Sequence, residues 1–104
     1  MSQFDDRKQA YESKFAHDAE LRFKVEARRN RLLGLWAAGR LGKSEDEAAA
    51  YAKEVVRADF QEAGDEDVYR KVAGDLGDLA TEDEIRGKMR ELMVEADRQI
   101  DAET

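Results

Sequence analysis

The sequence predicts an all-α fold, a four-helix bundle with a mobile N-terminal arm. No proline occurs in 104 residues, and Ala, Glu, Lys, Arg and Leu dominate, which favours helix throughout. Apolar residues recur at three- and four-residue spacings in four runs separated by glycines. Ser44 with Glu47 and Thr81 with Glu84 have the spacing of capping boxes, in which each side chain satisfies a backbone N–H at a helix start. A chain of this length has room for one core, burying roughly 65% of its unfolded surface.

The arm comes first. Phe4, Tyr11 and Phe15 form an aromatic stripe at helical spacing. At about 100° per residue the three positions lie within roughly 40° of one another, whereas Leu21, which opens the next apolar row, stands about 100° away. One straight helix packed by one face cannot use both rows. The stripe predicts a short arm, residues 1–18, disordered or transiently helical when free, joined to a bundle at 19–104. The alternative is that the stripe packs on the bundle as an ordinary extension of the first helix.

The first bundle helix is expected over 19–41, with Leu21, Val25, Leu32, Leu35, Trp36 and Gly39 on one face and Phe23, Ala27, Ala37 and Leu41 on another, so it is central. Gly42 ends it. The second, over 44–63, presents Ala48, Ala52, Val55, Val56 and Ala63, with Tyr51 and Phe60 at its flanks and Gly64 as its stop. The third begins at residue 65 or 66 and runs to about 79 through Val68, Val72, Leu76 and Leu79; Gly74 and Gly77 weaken it by roughly 1 kcal/mol each relative to Ala. The fourth carries Ile85, Met89, Leu92, Met93, Ala96 and Ile100. Short connections make the helices antiparallel neighbours. Arg28 and Asp59 fall in phase with the apolar rows of their helices, and a pair between them is one expectation, solvent-reaching heads at the core edge the other.

Charge and composition exclude several functions. Residues 1–31 carry 8 Lys/Arg against 6 Asp/Glu, leaving 10 against 19 for residues 32–104. Arg22, Lys24, Arg28, Arg29 and Arg31 supply most of the basic excess, a face suited to phosphates or acidic protein unless it is solvated or paired internally. A chain of net charge −7 is a poor non-specific nucleic-acid binder. Without cysteine there is no disulfide, thiolate metal site or thiol nucleophile. No run approaches the ~20 apolar residues of a membrane span, and the polar, acidic start is unlike a signal peptide, so a cytoplasmic protein is expected. His17 is the single histidine and has no partner at metal-ligand spacing. The acidic run 65–67 fails as a calcium loop because Arg70 stands where glycine is required, and Gly74-Asp75-Leu76-Gly77 lacks the length and lysine of a P-loop. No nucleophile–base pair is identifiable, so neither an enzyme nor a bound metal or cofactor is expected.

Phe4-Asp5-Asp6-Arg7, Phe15-Ala16-His17-Asp18, the run Arg28-Arg29-Asn30-Arg31-Leu32-Leu33-Gly34-Leu35-Trp36-Ala37-Ala38 and Tyr51-Ala52-Lys53-Glu54-Val55-Val56-Arg57-Ala58-Asp59-Phe60 together resemble the zeta subunit of alphaproteobacterial F-type ATP synthases. The resemblance implies a four-helix bundle with a mobile arm that inhibits ATP hydrolysis. The arm would enter an interface between alpha and beta subunits of the catalytic head, near the gamma rotor, fold there as a helix and block rotation. Carried onto this chain, Phe4, Tyr11 and Phe15 become apolar anchors and Asp5, Arg7, Lys8, Glu12 and Lys14 polar contacts. The protein would be a monomer when free, peripheral to the cytoplasmic face of the inner membrane only through the synthase. The other function considered is a small helical adaptor that binds a nucleotide or an acidic partner through Arg22, Lys24, Arg28, Arg29 and Arg31.

Overall fold

The computed structural model describes residues 2–59 and 65–103, with side chains from residue 20 onward. Four helices account for nearly all of it: α1 (Ser2–Arg40), α2 (Glu45–Ala58), α3 (Glu66–Leu76), a single 3-10 turn (Gly77–Leu79) and α4 (Glu82–Glu103). No strand occurs among the described residues. α1 packs along both α2 and α4, while α3 closes the bundle against α2 and α4, so α1 is the central helix that its two apolar faces predict.

The helix ends follow local chemistry. At the end of α1 the Lys43 N–H reaches the Ala38 carbonyl at 3.0 Å and the Gly42 N–H that of Gly39 at 3.2 Å, a Schellman stop that needs the positive φ of 72° at Gly42. Ser44 Oγ accepts the Glu47 N–H at 3.3 Å, and the Glu47 carboxylate accepts the Ser44 N–H at 2.9 Å. The same reciprocal pair joins Thr81 and Glu84, at 3.1 and 3.2 Å. α3 stops three residues earlier than its apolar row suggests. Gly77 takes φ 54° and ψ −121°, a turn that breaks the helical path and leaves Leu79 half-exposed. α2 ends at Ala58 with Asp59 as its C-cap; Phe60, Ala63 and Gly64 lie outside the described residues.

α1 spans Ser2–Arg40, so helical backbone takes in the arm positions as well as the bundle helix expected over 19–41. Its buried row is Val25, Arg29, Leu33 and Ala37, one residue every fourth, with Asn30, Gly34 and Ala38 beside it. Phe23 and Leu35 are exposed and Trp36 is half-buried, the Arg40 guanidinium 5.2 Å and the Lys88 ammonium 5.8 Å from its ring. The aromatic positions are offset from Leu21 but not from this row. Eighteen residues make five full turns, so position 11 shares its azimuth with Arg29 and position 15 with Leu33.

One core cluster joins Leu33, Ala37 and Ala38 to Tyr51 and Val55 of α2, Val68, Val72 and Leu76 of α3, and Ile85 and Met89 of α4. A second, of Val25, Ala96 and Ile100, lies between α1 and the end of α4. Gly34 lets α1 and α2 approach: a Cβ there would stand 2.6 Å from the Ala52 Cα.

Candidate functional site

Phe4, Asp5, Arg7, Lys8, Tyr11, Glu12, Lys14 and Phe15 belong to the first half of α1; their side chains, like that of His17, lie outside the described residues. The basic positions that follow are separated by the fold. Arg22, Lys24 and Arg31 are exposed. Arg28 is tied to α4, donating to Gln99 Oε1 at 2.8 Å and pairing with Glu103 at 2.8 Å, so it does not pair with Asp59. The reason is that Gln99 and Glu103 of α4 already hold its guanidinium.

Arg29 is the buried cation. Only 1% exposed, it donates from Nε to Asn30 Oδ1 at 2.7 Å and from a terminal nitrogen to Asp65 at 2.8 Å. It is therefore not part of an exposed basic face. Its guanidinium links the centre of α1 to the start of α3, and Asn30 beside it is fully buried, with Nδ2 lacking a partner among the described residues. Tyr51, also buried, donates its hydroxyl to Asp75 at 2.8 Å. Burial, reinforced by that carboxylate, raises the phenol well above its ordinary range. Both groups are satisfied internally and serve the fold.

Concave faces among the described residues include two along α1. Between α1 and α2 runs a groove of about 430 Å³, lined by Arg31, Leu35, Ala49, Ala52, Lys53, Val56 and Arg57. Its floor is apolar and its rim carries three cations. Between α1 and α4 a second groove, about 510 Å³, is lined by Leu21, Arg22, Val25, Met93, Val94, Asp97 and Asp101, so both signs of charge border it. Lys53 and Arg57 did not stand out in the sequence, although one signal was available: the helical neighbours of Lys53 at three and four residues are Ala49, Ala50, Val56 and Arg57, none of them an acid. No group of three or more His, Cys, Asp or Glu among the described residues is placed to hold a metal ion, and no helix among them is long and apolar enough to cross a membrane.

These features define a small all-helical bundle in which Arg29 and Tyr51 are committed to holding the fold. The family of ATPase inhibitor subunit zeta matches residues 1–99, and the chain belongs to it. Its members are inhibitor subunits by description, which ties the chain to ATP synthase. Among solved structures, a protein described by its solution NMR structure is 58% identical to this chain, covering 81% of it and 99% of its own length with a TM-score of 0.76. No protein of curated function matches.

Proposed function

We propose that this chain is a non-enzymatic regulator that inhibits ATP hydrolysis by the catalytic head of an F-type ATP synthase, using residues 1–18 as the blocking element. The family match carries this reading, because it begins at residue 1 and so includes the aromatic stripe as well as the bundle. Inserted as a helix between an alpha and a beta subunit close to gamma, the arm presents Phe4, Tyr11 and Phe15 as anchors, with Asp5, Arg7, Lys8, Glu12 and Lys14 around them. Apolar burial of the three rings opposes the ordering cost of a segment too short to hold a stable helix alone in water. The bundle keeps the arm attached and stays outside the interface. Association with the cytoplasmic side of the inner membrane then comes only through the synthase.

The test is ATP hydrolysis by the purified catalytic head at increasing concentrations of the full chain. Phe15→Ala is expected to raise the concentration for half-inhibition by about tenfold or more, as for an aromatic hot spot. Its melting temperature stays near that of the parent. Undiminished inhibition by the triple variant Phe4→Ala, Tyr11→Ala, Phe15→Ala refutes the arm as the inhibitory element.

A further inference from the structure

We propose that the groove between α1 and α2 is a docking site for an acidic amphipathic helix of a protein partner. Its floor is formed by Leu35, Ala52 and Val56, and its rim by Arg31, Lys53 and Arg57. Leu35 is 37% exposed, so apolar surface is on offer at the centre of the site. The three rim cations make no ion pair among the described residues. Arg28, Arg29, Arg40, Lys71, Arg86, Lys88 and Arg98 each hold a carboxylate, and what sets the three rim cations apart from other unpaired ones is that they border one apolar trough. In a chain of net charge −7, with acids in excess, three neighbouring cations left unneutralised around an apolar trough form a local positive field that an acidic ligand would complete.

The shape selects the kind of ligand. Two helices crossing closely at Gly34 and Ala52 leave beside them the valley that a third helix fills, with its apolar anchors on the floor and carboxylates toward the rim. Small floor residues leave room for a leucine-sized anchor. Lys24, with Arg31 and Val56, borders an adjoining concavity in which Glu103 is already paired with Arg28. A flat anionic lipid surface fits this face less well, because the apolar residues are recessed between the cations. The inference is independent of inhibition by the arm.

The probe is a capped 20-residue helical peptide with leucines on one face and glutamates flanking them, titrated into the full-length protein and followed by amide chemical shifts. Saturable shifts are expected at Arg31, Leu35, Lys53, Val56 and Arg57. Affinity should fall at least tenfold in Lys53→Glu/Arg57→Glu, and also in the milder Lys53→Gln/Arg57→Gln should the charge reversal disturb folding. Raising salt should weaken binding of the parent protein. The counterpart peptide with lysine for every glutamate should not bind there. No binding, shifts centred on the α1–α4 groove, affinity indifferent to the rim charges, or equal engagement of the same residues by phosphatidylglycerol vesicles would each overturn the proposal.

Discussion

Gly34→Ala adds one carbon at the tightest point of the bundle. The new Cβ would lie 2.6 Å from the Ala52 Cα and 3.2 Å from both the Ala52 Cβ and Val55 Cγ2. Carbon atoms prefer separations near 3.5–4.0 Å, so α1 and α2 must part by about 1 Å. The nearest atom belongs to the backbone of α2, so no rotamer change relieves it. Ala52 is 2% exposed and Val55 fully buried, leaving no space to retreat into. Against this stands the gain of replacing glycine by alanine inside a helix, about 1 kcal/mol. Overpacking costs about 1–3 kcal/mol, and with backbone as the obstacle the upper part of that range applies. The net expectation is a loss of about 1–2 kcal/mol, lowering the melting temperature by roughly 5–15 °C in a domain of this size. Gly39→Ala is the control: the same helix, no heavy atom within 4 Å, and therefore the propensity gain alone. Urea and thermal unfolding followed by far-ultraviolet circular dichroism should move the two variants in opposite directions. Ala52→Gly should not rescue Gly34→Ala, because the closest contact is to Cα. A Gly34→Ala protein as stable as Gly39→Ala would refute the close-approach argument.

Three further outcomes are expected. Arg29→Met should lower stability by about 1–3 kcal/mol in urea unfolding, because it leaves the fully buried Asn30 with neither side-chain atom bonded, and Arg29→Met/Asn30→Leu should recover most of the loss; a fully stable single variant would contradict this. On the acid side, Glu47 is held below its usual range by the Ser44 N–H, Glu66 by Arg86, Glu84 by the Thr81 N–H and Glu95 by Arg98; burial pushes Asp75 up, but hydrogen bonds from Lys71 and Tyr51 outweigh it and leave it low. Lowered folded values mean stability present above the ordinary values of 4.5 and 3.8 and lost as the pH falls through the depressed ones, so the urea midpoint should hold at neutral pH and drop below pH ~4. On the alkaline side, the raised Tyr51 keeps its proton while the fold lasts: stability from this group is present below the ordinary value of 10.0 and lost as pH rises above it. Tyrosinate absorbance should therefore show one tyrosine ionising only together with unfolding, and Tyr51→Phe should abolish that step.

Local chemistry was legible in the sequence, and long-range chemistry was legible only in part. Ser44 and Thr81 cap their helices because a hydroxyl and a carboxylate three residues apart need nothing from the rest of the fold. Ile85, Met89, Ala96 and Ile100 of α4 are all buried as their spacing requires. The buried face of α1 was legible at Val25 and Ala37 but not between them, because Arg29, Asn30 and Gly34 contribute no hydrophobicity, while Phe23 and Trp36 contribute much and are not fully buried. Arginine enters a core only when a partner such as Asp65, thirty-six residues away, meets it, and periodicity carries no information about that meeting. The same limit applies to the groove, where an α1 cation and two α2 cations become neighbours only once Gly34 brings the helices together.

The unbroken course of α1 also sets an angular relation between its two halves. A helix has no swivel: each residue advances about 1.5 Å and turns about 100°, so positions near one end fix the compass bearing of those at the other. Arg31 is twenty residues beyond position 11 and sixteen beyond position 15, which places it about 180° from the aromatic stripe on an uninterrupted helix. On a helix that continues α1 without interruption, positions 4, 11 and 15 and the α1–α2 groove fall at opposite azimuths. One extra residue near position 19 would swing the arm by about a quarter-turn relative to the bundle, so the length of this segment is a dimension of the protein as much as any of its side chains.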